Sequence, residues 1–387
     1  MLASTDEILT THAGSLPRPA ALLDLLVRLS RRERVDPGKL ATTVEQATRD
    51  VIRKQLDAGI HVGNDGEQPR ESFLTYVQHR LSGFGGESQR PIMRDITRYA
   101  SFLQLKLPDF GRHMVSLMNA PKAVGPVAYV NRAPVTEECA LFGRLTDAEP
   151  RKFRERFMTA ASPGIVAAAM LNEHYASHEE YVTAVADALA TEYRAIVDAG
   201  FVLQVDAPDL AMERHTSYAD RPLADFQRLV DVNVGAINRA LTGIPADRVR
   251  LHVCWGNYEA PHDDDVPLDD ILPRLYAARV GALVVSMANP RHAHEHRCFR
   301  RHPLPAGMLL IAGVVDPTTN YVEHPEVVAD RIARAAESVG DPRRVLAGPD
   351  CGFATAAGLG EVAEEVVWLK LGALSEGARL ATRRLLG

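Results

Sequence analysis

Three residues of this 387-residue chain offer soft metal ligands in a usable pattern. His252 and Cys254 are two positions apart, and in an extended strand residues i and i+2 project from the same face. An imidazole and a thiol can therefore reach one ion together. Cys351 lies far along the chain, in Pro349-Asp350-Cys351-Gly352. One imidazole with two thiolates is a zinc donor set, with bonds of about 2.0–2.3 Å, and three protein ligands with a fourth position open is the catalytic arrangement. H-x-C alone is a weak signal, because buried cysteine also serves as a small apolar core residue. The reading depends on Cys351 reaching the same place. Cys139 and Cys298 lie away from comparable segments and read as structural.

The elements that must bring these groups together are readable as pattern. Eight short apolar runs occur in order, at 8–13, 59–64, 123–130, 201–205, 249–254, 282–287, 308–315 and 345–348. Several are continuously apolar rather than alternating, as in parallel strands buried on both faces. Helical periodicity lies between or after them at 40–58, 178–199, 220–241, 269–280, 325–339 and 359–386. This alternation predicts an α/β fold, a single (β/α)₈ TIM barrel over residues 1–387. The Pro- and Gly-containing stretch 83–156 reads as an excursion over that barrel.

Such barrels carry their chemistry at the C-terminal strand ends, and here nearly every exit is polar. The first run leads into His12, Ser15 and Arg18, the second into Asp65 and Glu67, and the third carries Gly125-Pro126. The fourth ends at Asp206, the fifth at His252 and Cys254, and the sixth leads into Asn289, Arg291 and His292. The seventh ends at Asp316, and the eighth at Asp350 and Cys351. Several of these residues have plainer roles open to them. Asp65 and Asp350 fit helix caps, and Arg18 and Arg291 fit either an anionic substrate or ion pairs. The spaced histidines 292, 294 and 296 fit a solvent-facing loop, as does the acidic run 263–265. Trp255 is expected to pack against helices.

Composition excludes other classes. Lys plus Arg is 44 against 50 Asp plus Glu, for a net charge of −6, so the basic stripe of a nucleic-acid protein is not expected. With 46% hydrophobic and 24% charged residues the chain is no disordered segment. It holds no apolar run of membrane-spanning length. The N-terminus carries Asp6 and Glu7 without a basic region, so a signal peptide is not expected. Four cysteines do not make a disulfide framework. The expectation is a cytoplasmic protein with reduced thiols and small-molecule partners, with homo-oligomerisation left open.

The ordered set Thr10-Thr11-His12-Ala13-Gly14-Ser15, Asp65-Gly66-Glu67, Val205-Asp206-Ala207-Pro208, His252-Val253-Cys254 and Asp350-Cys351-Gly352 resembles the catalytic barrel of the cobalamin-independent methionine synthase family. That barrel is related to the uroporphyrinogen decarboxylase fold. The resemblance spans essentially the whole chain. It implies Zn²⁺ held by His252, Cys254 and Cys351, and a substrate thiol activated for attack on a carbon electrophile. It implies that Asp206 holds the amino group of homocysteine, that Glu67 lies near the same amino acid and that Ser15 lies in the segment that binds its carboxylate. Arg18 and Asn289 are further substrate-binding candidates. The chain departs from the long enzymes at three points. Ser286 stands where they supply a glutamate ligand, Thr318 where they carry a histidine, and Ala207 within Asp206-Ala207-Pro208 where they carry Asp-Glu-Pro. Asn289-Pro290-Arg291-His292-Ala293-His294-Glu295 is more similar to the short single-barrel branch, which includes epoxyalkane:thiol transferases.

Zinc coordination deprotonates a thiol whose free pKa is about 8.5, and the thiolate then attacks a methyl group or an epoxide carbon. Epoxide opening requires a general acid, for which His12, His292 and Tyr129 are candidates. A methylated pteridine requires one at its leaving nitrogen, for which Asp65 and Glu67 are candidates. Water, the substrate thiol, Glu295 or His292 could take the ligand position vacated at Ser286. The readings to separate are a zinc-dependent S-methyl or S-alkyl transferase, an epoxide-opening transferase or lyase on the same site, and a metal-free barrel binding a small molecule.

Overall fold

The computed structural model describes residues 1–108, 113–117 and 119–387. Its main sheet has seven parallel strands in the order β1 (Val62–Gly63), β4 (Glu155–Ala161), β5 (Val202–Asp206), β6 (Val249–Val253), β7 (Ala282–Val285), β8 (Leu309–Val315) and β9 (Val345–Pro349). A separate antiparallel pair joins β2 (Phe84–Gly85) to β3 (Lys122–Ala123). The helices are α1 (Ala20–Ser30), α2 (Pro37–Asp57), α3 (Arg94–Thr97), α4 (Ala100–Lys106), α5 (Ala133–Ala148), α6 (Pro163–Ala169), α7 (His178–Asp198), α8 (Leu223–Ala240), α9 (Leu268–Leu275), α10 (Cys298–Arg301), α11 (Pro325–Val339) and α12 (Glu364–Leu385). The fold is a TIM-barrel-like α/β fold.

Two expectations are corrected. The first apolar run forms no strand of its own. Thr10 bridges Ala347 of β9 and Thr11 bridges Val62 of β1, so residues 10–11 stand between the two sheet edges with one parallel bridge to each. The sheet is therefore seven-stranded rather than an eight-stranded closed barrel. The third strand is also not 123–130. Only Lys122–Ala123 of that region is extended, and Gly125 and Pro126 keep the strand from continuing. Its place beside β1 is taken by β4, where Val62 pairs with Glu155 and Gly63 with Arg156. That strand opens on two charged residues and contains no Val or Ile, which hides it in a search for β-branched runs.

Alternation along the strands divides the core in two. Leu283, Val285, Leu310 and Ala312 pack with the helices, whereas Ala282, Val284, Leu309, Ile311, Leu346 and Leu9 pack on one another. The second set is the inner face that period-two geometry requires. Phe157, Val202 and Val62 form a second small cluster. The buried polar residues Thr159, Gln204, Asp206, Arg250 and His252 belong to the neighbouring strands β4, β5 and β6, with Asp206 at the C-terminal end of β5 and His252 one residue before that of β6. The polar residues of β5 and β6 place the site. No helix among the described residues is long and apolar enough to cross a membrane.

Candidate active site

The ligand atoms of His252, Cys254 and Cys351 lie within 4.8 Å of one another, and all three residues are buried. His252 stands on β6 with Cys254 just beyond its end, and Cys351 follows β9 by two residues. The two Sγ atoms are 3.7 Å apart. A disulfide would need about 2.05 Å, whereas two thiolates at about 2.3 Å from one tetrahedral ion sit about 3.8 Å apart. His252 Nδ1 lies 2.8 Å from Asp206 Oδ1, while Nε2 is buried without a hydrogen-bond partner among the described residues. A buried ring nitrogen with no partner is costly unless it binds something. Asp206 accepts the Nδ1–H, which leaves a lone pair on Nε2. These residues fit a zinc ion.

Burial works against charge on His252, but the hydrogen bond to Asp206 and the neighbouring Cys254 raise its pKa. The Cys351 thiol donates to Cys254 and holds it down to about 7 against the effect of burial. The same contact, with burial, pushes Cys351 well up.

The three ligands open onto a cavity of about 760 Å³ whose wall also carries Ser15, Glu67 and Asp206. Glu67 has a left-handed backbone, φ +55°, which is strained for a residue with a side chain. It follows Gly66 in a turn where Asp65 Oδ1 accepts from the Glu67 N–H at 2.9 Å. Glu67 Oε1 accepts from Thr159 Oγ1 at 2.9 Å, and Oε2 is buried without a partner among the described residues. Burial, with Asp206 as a like-charged neighbour, pushes the Glu67 pKa up to about 7. Its approach depends on Gly14, where φ is +123° and a Cβ would meet Glu67 Oε1 at 2.8 Å and Thr159 Cγ2 at 2.6 Å.

Five other sequence candidates stand off this cavity. His12 is buried, with Nε2 bonded to Gln55 Oε1 at 2.8 Å and Nδ1 accepting from the Gly14 N–H at 3.2 Å. Burial drives its pKa to about 3, so the ring is a neutral, fully bonded support. Arg18 donates to the carbonyls of Ala354, Glu67 and Arg70 at 2.8–3.0 Å; both terminal nitrogens are spent on the backbone, while Nε has no partner among the described residues. Asp65 serves the turn through Gly66. His292 lies between Glu295 Oε2 at 2.7 Å and Asp265 Oδ2 at 2.8 Å and stacks on Trp255. Burial opposes its charge, but those two carboxylates push its pKa up to about 9. Asn289 donates to Asp350 and accepts from the Arg291 and His292 N–H groups. His292 and Asn289 line a second, smaller cavity of about 260 Å³.

The replacements expected at the fourth ligand position are likewise engaged. Glu295 holds His292 and the Leu268 N–H, and the Ser286 hydroxyl donates to the Asp350 carbonyl. Thr318 donates twice to Asp316. Tyr129 donates to Glu192 at 2.7 Å, within a buried ion network of Arg70, Arg80, Glu138 and Glu192. The acidic run is not a solvated loop throughout. Asp265 is buried, 3.0 Å from His215 and 3.1 Å from His262 as well as bonded to His292, and Asp263 and Asp264 pair with Arg98.

Comparison with known proteins decides the family. The family model described as the cobalamin-independent synthase catalytic domain matches residues 129–367. The chain belongs to the cobalamin-independent methionine synthase family. It is 26% identical over 380 residues to a methionine synthase of Saccharolobus solfataricus, covering 97% of this chain and 95% of that protein. A methionine synthase of Sulfolobus acidocaldarius is 26% identical over 347 residues, covering 89% and 85%. Among solved structures, a B12-independent methionine synthase from a Shewanella species, in complex with selenomethionine, superposes with a TM-score of 0.74 at 21% identity over 98% of this chain and 99% of that one. A protein from Listeria monocytogenes described as a B12-independent methionine synthase gives 0.66 at 19%, covering 97% and 98%.

In this member of the cobalamin-independent methionine synthase family, four residues whose roles sequence reasoning missed organise the site. The most heavily bonded of them, Asp350, accepts from the backbone N–H groups of Met287, Ala288 and Asn289 and from Asn289 Nδ2 at 2.8–2.9 Å. It ties the turn carrying Cys351 to the loop after β7, a link its expected capping role did not suggest. Asn257 donates to the Gly352 carbonyl at 2.7 Å and joins that turn to the β6 exit. Gln204 and Arg250 lie behind Asp206. The only sequence signal for these two is polarity in an otherwise apolar strand. Residues 86–121 contribute Arg90, Met93, Ile96 and Leu117 to the cavity wall.

Proposed function

We propose that this protein is a zinc-dependent transferase that takes an amino-acid thiol as its thiolate and transfers to it a methyl or other alkyl group from a carbon electrophile. The observation carrying this reading is the convergence of the His252 imidazole and the two sulfurs on the wall of a large cavity, with Nε2 left unpartnered among the described residues. Zinc bound there lowers the pKa of a substrate thiol so that sulfur enters the reaction deprotonated.

The chain's own residues do the rest. Asp206 holds the Nδ1–H tautomer of His252 and fixes its ring plane. Asp206 and Glu67 present carboxylate oxygens to the cavity for the substrate ammonium, and the Ser15 hydroxyl is placed for its carboxylate. Arg90, Met93, Ile96 and Leu117 stand on the cavity wall, where exclusion of water would strengthen these charge contacts. In the transfer a carbon–sulfur bond forms, the bond from that carbon to its leaving atom breaks, and the leaving atom takes a proton. Glu67, its carboxyl raised by burial and by Asp206, is the acid on this wall and in its protonated form leaves the ammonium to Asp206; His12 and His292 are committed elsewhere.

Two observations favour a donor other than a methylated folate. The Ser286 hydroxyl is bonded to a carbonyl where a glutamate ligand is expected, and Thr318 stands where a histidine is expected. An epoxide-opening thiol transferase or lyase on the same site is the second reading. Elemental analysis of protein produced with zinc present should give about one equivalent; a value far below one refutes the metal reading. Parallel assays of homocysteine with methyltetrahydropteroyl-polyglutamate and of thiols with epoxides then separate the donors.

A further inference from the structure

We propose that Gln204 and Arg250 are positioning residues that set the proton arrangement of the metal ligand His252 through Asp206; this inference rests on the zinc reading above. Arg250 is fully enclosed. It donates Nε–H to Gln204 Oε1 at 2.7 Å, one terminal nitrogen to Thr11 Oγ1 at 3.0 Å and the other to the His12 carbonyl at 2.8 Å. Its guanidinium lies over the Phe157 ring at 3.5 Å. Gln204, also fully buried, donates Nε2–H to Asp206 Oδ1 at 2.7 Å and to the Ala13 carbonyl at 2.6 Å. Asp206 Oδ1 is the same atom that receives His252 Nδ1 at 2.8 Å.

The direction of every bond in this chain of contacts comes from donor chemistry. An amide can turn either end toward a neighbour, and only its surroundings decide which. Guanidinium has donors and no acceptor, so Gln204 must face Arg250 with its oxygen. Its NH₂ group therefore faces Asp206. Asp206 Oδ1, supplied with that donor, remains an acceptor, and the bond it takes from His252 keeps hydrogen on Nδ1 and the lone pair on Nε2. Without Arg250 the Gln204 oxygen loses its donor, and only the Ala13 carbonyl and Asp206 itself still hold the NH₂ group on the Asp206 side. The strand-ordered spacing Arg250, His252, Cys254 places the origin and end of this relay on one face of β6.

Outer hydrogen-bond partners of metal-bound histidine typically account for a 10–100-fold change in metal affinity. The test measures the zinc dissociation constant of the full chain by competition with a chromophoric chelator. Gln204→Leu and Arg250→Lys are each expected to weaken zinc binding at least 10-fold while far-UV circular dichroism stays unchanged. A purely structural role, holding residues 11–13 in place, would multiply with any loss at Asp206. Action through Asp206 would not: in an Asp206→Ala background the Gln204→Leu change is expected to alter affinity less than 3-fold. The visible spectrum of the cobalt(II)-substituted protein should shift in the single variants as the histidine ligand reorients. If folded Gln204→Leu binds zinc within 2-fold of the parent, or if its effect persists in full beside Asp206→Ala, the inference is overturned. If Gln204→Leu does not fold, Arg250→Lys with and without Asp206→Ala gives the same decision. Failure of the parent protein to bind zinc would refute the zinc reading instead, so the two failures are distinct.

Discussion

Replacing Glu67 by Gln tests the electrostatics of the cavity wall. Glu67 is 1% exposed, and burial together with Asp206 raises its carboxyl from 4.5 to about 7. The folded state therefore binds this proton more tightly than the unfolded chain does. Its contribution to stability is complete below pH 4.5 and is lost as pH rises through about 7. A rise of that size corresponds to about 3 kcal/mol. Gln204 is untouched by the change, and a glutamine at position 67 keeps an oxygen for the Thr159 hydroxyl while carrying no charge at any pH. Urea unfolding of both proteins from pH 4.5 to 8.5 should show Glu67→Gln gaining about 3 kcal/mol on the parent across that range. Groups that do not interact with Glu67 titrate in both proteins and cancel in the comparison. A stability difference that stays constant within about 0.5 kcal/mol over this range would refute the assignment.

Cys351→Ser removes one of two sulfurs 3.7 Å apart, and zinc content by elemental analysis should fall below half of the parent value. Asp350→Asn turns an NH₂ group toward donors that Asp350 now accepts; charged hydrogen bonds of about 1.5–3 kcal/mol each imply a loss of about 2–4 kcal/mol in urea unfolding, with weakened zinc binding. Arg18→Met strips donors from three carbonyls and should cost about 2–4 kcal/mol. The thiol KM should stay within twofold in that variant, and a tenfold rise would restore Arg18 to the substrate.

Much of this site was readable because its chemistry sits at strand ends, where an apolar run gives way to polar residues. His252 and Cys254 follow from a period of two, and Cys351 from its place after the last apolar run. The fates of His12, Arg18 and Asn289 were not readable. Each has the right residue type near the cavity, yet each spends its hydrogen-bonding capacity on groups that local pattern does not reveal. Arg18 reaches the Ala354 carbonyl, and His12 reaches Gln55 on α2. Strand β4 went unread because it opens with Glu155 and Arg156, residues that make ion pairs with the N-terminus and Asp147 rather than apolar contacts.

Residue order alone supplies the available ligands, their spacing along each strand and the alternation that makes the sheet parallel, because these depend on neighbours a few positions away. Which lone pairs remain unclaimed is a property of the folded chain. Among the described residues, His252 Nε2 and Glu67 Oε2 are free only because Asp206 and Thr159 satisfy the other atom of each group, and both partners arrive from other strands. Hydrogen-bond capacity is finite, so the division between support and chemistry is made where distant segments meet.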